Sequence, residues 1–372
     1  MQNLIEKIKN FYTNNKQKVH LFGSLVFVML IIIIAIAVTV NINGTKWSYE
    51  KLEEKMESAT RAYLSEHPDK NPSSTNPTVI IEDNTLIEGD YLKELKKYVK
   101  DESCTGKVMV DYENASYKYQ TYLTCKNYKT EKMLDILKKN NVLSQTGDGL
   151  YEMNNEWVYR GEDPNNYVLL NDELWRIVKI DKDNKIKIIL TNTEDKNSIY
   201  ATWDDRYNTE KNASYGINNF ALSRAFVNLQ SIYENKYKEF KELFTKYDLC
   251  YGKRSEDSVF KDGSLECNEV LREQNIGFLP LYDYMNASLD ALCQTPNNKE
   301  CQNYNYLVND ESWWTMTANQ KSTYHVFRIY SSGKIESEYA SSKKYLRYVL
   351  ALNPDVLYKS GTGTKNDPYK VR

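Results

Sequence analysis

The sequence predicts an α+β protein with a single N-terminal transmembrane helix, a small disulfide-closed α+β domain and a larger α+β domain. Three observations carry this prediction: an uncharged apolar run from Leu21 to Val40, a two-strand pattern ending in Cys104 and Cys125, and alternating strands interrupted by helical periodicity after about Gly149. The expected organisation is a cytoplasmic tail (1–20), a transmembrane helix (21–42), a helical stalk (43–67), a Pro-rich linker (68–77), a small α+β domain with a disulfide hairpin (78–148) and the larger domain (149–372).

The apolar run reads LFGSLVFVMLIIIIAIAVTV, and 14 of its 20 residues are Leu, Ile, Val or Phe. At about 1.5 Å per residue it spans roughly 30 Å, the thickness of a bilayer core. Ala35-Ile36-Ala37 fits a small-x-small cleavage pattern, but the apolar run continues to Val40, so an uncleaved anchor in the lipid bilayer is expected. Lysines at 7, 9, 16 and 18 precede the run and lysines at 46, 51 and 55 follow it, a weak charge asymmetry. The cysteines orient it instead. All six follow the run, and disulfides persist outside the reducing cytosol. The expected location is therefore the cell membrane, with the N-terminus cytoplasmic and the C-terminal domain extracellular.

Between Ser48 and Glu66 the apolar positions Leu52, Met56, Ala59 and Tyr63 recur every three or four residues, a thin stripe on a charged helix read as a stalk. Pro68 stops it, and Pro72 and Pro77 punctuate the linker. Thr85-Leu86-Ile87-Glu88 has the form of a capping box opening a short helix, and Asp90 that of a cap for a second helix carrying Leu92, Leu95 and Val99. Strands at 107–112 and 117–125 fold about Glu113-Asn114-Ala115-Ser116. That register pairs Tyr112 with Tyr117, Val110 with Tyr119 and Cys104 with Cys125, all on one face.

In the larger domain, strands are expected at 157–160, 167–170, 174–180 and 185–190. Helical stripes follow at Leu222, Ala225, Phe226, Leu229 and Tyr233, and at Tyr237, Phe240, Phe244 and Tyr247. Further strands are expected at 313–318, 324–330, 334–339 and 346–352. Proximity suggests two more bridges, Cys250 with Cys267 and Cys293 with Cys301.

A net charge of −2 with both signs interspersed excludes a nucleic-acid partner that needs a basic face. The 31 tyrosines against 10 phenylalanines suit a binding surface, although codon bias alone also yields such a ratio. No cofactor or metal is expected. Asp181-Lys182-Asp183-Asn184 lacks the glycine and distal acid of a calcium loop, and Gly361-Thr362-Gly363-Thr364-Lys365 has no helix after it to form a phosphate loop. A catalytic histidine would have to be His325, in an apolar strand. Trp203-Asp204-Asp205-Arg206, with Trp313 and Trp314, is the candidate binding set, since rings beside acids and a guanidinium suit a sugar or peptide ligand.

Two stretches resemble known families. The apolar run, its amphipathic continuation, Leu86-Ile87-Glu88-Gly89-Asp90-Tyr91-Leu92 and the cysteine-closed hairpin resemble type IV pilin-like proteins over about residues 20 to 130, without the glutamate those carry early in the apolar helix. Trp175-Arg176-Ile177-Val178, Trp203-Asp204-Asp205-Arg206-Tyr207-Asn208, Trp313-Trp314-Thr315-Met316-Thr317 and the 361–369 tail resemble an uncharacterised domain of bacterial surface proteins, itself similar to the C-type-lectin-like fold of formylglycine-generating enzymes. Arg347-Tyr348-Val349 stands where that family tends to have Arg-Pro-Val, and no calcium-lectin tripeptide is present. This resemblance implies a C-type-lectin-like larger domain without an assigned activity. The expected function is a membrane-anchored surface protein binding a surface glycan, peptidoglycan or protein ligand through that domain. The alternatives are a pilin-like structural component and an extracytoplasmic enzyme.

Overall fold

The computed structural model describes residues 46–113, 115–140, 143–191 and 200–372, together with Thr13. The expected span Leu21–Val40 and the tail before it lie outside the described residues. Among the described residues no helix is long and apolar enough to cross a membrane. The expected fold class and single-pass membrane location are corrected to this extent: no described helix supports the anchor on which both rested. What stands is mixed helix and sheet in two compact units, residues 1–130 and 131–372.

In the first unit, α1 (Tyr49–Glu66) starts at Ser48, whose hydroxyl accepts from the Lys51 amide at 3.2 Å. Its stripe of Leu52, Met56, Ala59 and Leu64 is buried, so α1 is the core helix of the unit and not a stalk. The strip β1 (Thr78–Glu82) follows the prolines directly, and α2 (Asp83–Glu88) begins two residues before the expected capping box, with no side-chain cap. The second expected helix is a single 3₁₀ turn at Leu95–Lys97, although Leu92, Leu95 and Val99 are buried as their spacing required. The strands β2 (Thr105–Glu113) and β3 (Ser116–Thr124) complete a sheet in the order β1-β2-β3. Their register pairs Val110 with Tyr119, Tyr112 with Tyr117 and Glu113 with Ser116, so the strands run closer to the turn than the sequence suggests. Gly106 lets α1 approach β2: a Cβ there would lie 2.5 Å from the Met56 methyl.

The second unit opens with α3 (Met133–Asn140), which the sequence reading had put in the small domain. Chain order then gives β4 (Gly149–Met153), β5 (Glu156–Arg160), β6 (Tyr167–Leu170), β7 (Glu173–Ile180), β8 (Ile186–Leu190), β9 (Tyr200–Thr202), α4 (Arg224–Lys236), β10 (Tyr247–Cys250), β11 (Val270–Gln274), β12 (Gly277–Phe278) and α5 (Leu281–Ala287). It closes with β13 (Trp313–Ala318), β14 (His325–Ile329), β15 (Ile335–Tyr339), β16 (Lys343–Tyr345), β17 (Tyr348–Leu352), β18 (Tyr358–Ser360) and β19 (Tyr369–Val371). The large sheet runs β12-β17-β8-β7-β6-β19-β18, with β5 also on β7 and β4 on β5. A second sheet runs β15-β14-β13-β16-β9.

The strand run Glu173–Ile180 is buried at six consecutive positions, as expected of a strand covered on both faces. Asn184 at φ 61° turns it into β8. Ala225, Leu229 and Tyr233 seat α4 against this core, while Leu222 stays 64% exposed outside the stripe. The second expected helical stripe is instead a 3₁₀ segment at Lys238–Leu243 followed by β10. Three disulfides join Cys104 to Cys125, Cys250 to Cys267 and Cys293 to Cys301.

Candidate functional site

The tryptophan set does not form a surface. Trp203 is fully buried, with its indole N–H donating to the Thr315 carbonyl at 3.1 Å. Asp204 is fully buried as well. It accepts from the amides of Arg206, Ile217 and Arg224 and pairs with the Arg206 guanidinium at 2.8 Å, so it pins the loop rather than facing a ligand. Asp205 reaches out to Arg224 at 2.8 Å. Trp313 and Trp314 are core residues of β13, the latter donating to the Ala201 carbonyl at 3.3 Å. The fold turns Trp203, Asp204, Trp313 and Trp314 inward and leaves Asp205 and Arg206 partly exposed.

His325 is no better placed for chemistry. Its ring lies 4.4 Å from Tyr324 and 4.8 Å from Tyr339, and burial, then the charge of Lys211, lowers its pKa. Among the described residues the one tight group of possible metal ligands is Asp101 with Cys104 and Cys125, and both thiols are spent in the disulfide.

The feature with chemical potential is a cleft of about 650 Å³ in the second unit, within the size range of small-molecule sites. It opens at the end of the large sheet where the β6–β7 turn, the end of β8 and the residues before β17 converge. At its floor stand two arginines from strand surroundings that are otherwise apolar. Arg176, on β7, is 5% exposed and its donors are taken. Nε gives to Asn166 Oδ1 at 2.6 Å, Nη1 to Tyr167 Oη at 2.7 Å and Nη2 to the Pro164 carbonyl at 3.0 Å. Asp163 adds an ion pair at 3.0 Å.

Arg347, one residue before β17, is 6% exposed and held differently. Its Nε donates to the Leu190 carbonyl at 2.7 Å and Nη1 to the Leu307 carbonyl at 2.6 Å, with the Trp313 ring 5.0 Å away. Among the described residues no carboxylate neutralises it. The charges and dipoles near enough to be felt are Arg176, Tyr306 and Tyr284. Burial, reinforced by Arg176, draws its guanidinium down to about 9, still cationic at neutral pH. A buried guanidinium whose Nη2 is uncommitted and whose charge has no partner is an anion site in waiting.

Arg176 and Arg347 both occurred in the motif strings that carried the family resemblance, yet neither was singled out for binding. The readable signal was a charged residue inside a hydrophobic strand, in Trp175-Arg176-Ile177 and Leu346-Arg347-Tyr348. No family model, curated protein or solved structure matches this chain.

Proposed function

We propose that residues 131–372 form a ligand-binding module that takes an anionic group at Arg347. This narrows the expected binding role to a chemistry. The observation that supports it is the nine-tenths-buried guanidinium of Arg347, which lines the cleft with two backbone carbonyls as its hydrogen-bond partners and no acid. Burying an uncompensated charge is costly, and a bound anion removes that cost with bidentate geometry available.

Calorimetric titration of the whole chain with acetate and with inorganic phosphate tests the reading. Saturable binding is expected, and Arg347→Gln should weaken it by 2–5 kcal/mol, about 30-fold or more. Arg347→Lys keeps the charge without the fork and should retain part of the affinity. Equal binding by the Gln variant, or no saturable heat with either anion, would overturn the proposal.

A further inference from the structure

We infer that the anion taken at Arg347 is the carboxylate of a small zwitterion of amino-acid or dipeptide size, an inference that rests on the anion-site reading above. The floor and the rim of the cleft carry opposite uncompensated charge. Arg347 supplies the cation at the floor. On the rim, Lys236 is already engaged by Glu173 at 3.7 Å, whereas among the described residues the carboxylates of Asp172 and Asp310 have no ion pair. Lys365 also lines the rim, with no ion pair among the described residues. Asp172 is presented rigidly. Asn171 and Asp172 form the two-residue β6–β7 turn, with φ of 49° and 58°, the left-handed pair that a tight hairpin requires.

Between floor and rim the wall is mixed: Leu174, Val308, Tyr167 and Tyr306 line it together with Thr191 and Asn309. A ligand that matches this gradient of charge has a carboxylate at one end, a short body with both apolar and amide surface, and an ammonium at the other. A phosphate monoester of similar size would also satisfy Arg347. Its second negative charge would then sit against Asp172 and Asp310 with Lys365 alone in compensation.

The test is a comparison of L-alanyl-L-alanine with its N-acetyl derivative on the whole chain, by calorimetry at neutral pH. The free dipeptide should bind about tenfold tighter. The exposed double substitution Asp172→Asn/Asp310→Asn should erase most of that advantage while leaving the acetylated form and inorganic phosphate unchanged or improved. Those two positions are on the rim, so the fold is not at stake. Arg347→Gln should abolish both. Equal affinity of the two dipeptides, with Arg347 still required, would overturn the zwitterion and leave the anion site standing. Failure of every anion to bind would overturn both.

Discussion

The two units bury charge by different means. In the first, the acids are held by neutral donors. Glu53, 3% exposed, takes hydrogen bonds from the hydroxyls of Thr130 and Tyr128, and Asp83 takes the amides of Asn84 at 2.9 Å and Gly106 at 3.1 Å. In the second, buried charges are matched by opposite charges. Lys179 lies 2.8 Å from Glu156 and 2.9 Å from Asp283, Arg254 lies 3.0 Å from Glu266, and Arg328 reaches both Glu336 and Glu338. Against that habit Arg347 stands out: among the described residues the other fully buried guanidinium and ammonium groups of its unit are paired with acids, and only the half-buried Arg160 and Lys261 likewise rest on backbone carbonyls. An unpaired buried charge in the first unit would have meant less. There, neutral hydrogen bonding is the rule.

The largest expected effect separates the two habits directly. Glu266→Ala strands Arg254 in a fully buried site and should cost about 3–5 kcal/mol in urea unfolding. Glu53→Gln keeps most of its hydrogen bonds and should cost about 1–2 kcal/mol. Equal costs would mean that ion pairing and neutral hydrogen bonding are interchangeable here, and the argument for Arg347 would lose its contrast.

Next in size is the bridge that clamps the first unit. Cys104→Ser/Cys125→Ser opens a loop with a sequence separation of 21 and should lower stability by about 3 kcal/mol. Hydrogen exchange should place the loss at Val108, Val110 and Leu123, the apolar face of the hairpin. A loss spread evenly over both units would contradict two separate cores.

The smallest effect sharpens the comparison at the site itself. Arg347 is protonated below about 9 and neutral above it, and the anion needs the protonated form. Affinity should therefore be level through neutral pH and then fall about tenfold per unit above 9, near 1.4 kcal/mol each. An affinity unchanged between pH 8 and pH 10 would mean that burial does not draw the guanidinium down this far.

The hairpin of the first unit was legible because period-two alternation and two cysteines of matching parity over-determine its register. Most strands of the second unit were legible as short runs of β-branched and aromatic residues bounded by turn residues, being buried on both faces. β1 was not: its burial alternates, with Val79 and Ile81 inward, but Ile80 on the outer face is as apolar as its neighbours, so the sequence shows a short apolar run and no alternation. The role of α1 was misread because a thin stripe of Leu52, Met56 and Ala59 looks the same in sequence whether it faces solvent or a sheet. Its burial depends on Gly106 and the hairpin, both far along the chain. The site failed in the opposite sense. Tryptophan beside acids suggests a ligand surface, but Trp203, Trp313 and Trp314 are fully buried, and sequence does not say which face of β13 is covered. The arginines were visible as misfits inside strands. What could not be read was which of them would meet an acid after folding.

The two bridges of the second unit close short circuits, with sequence separations of 17 and 8. Their loops are also sewn to each other: Lys261 donates to the Cys293 carbonyl at 2.8 Å, and Asn297 bonds the Glu256 carbonyl at 3.2 Å and the Asp257 carboxylate at 2.7 Å. Short circuits close quickly and with little loss of chain freedom, whereas the large sheet must bring β19 beside β6 from about two hundred residues away. During biogenesis both bridges can thus form while the sheet is still unassembled. Each then removes its own two thiols from the pool that could be mispaired, and oxidative maturation of this unit does not have to wait for its topology.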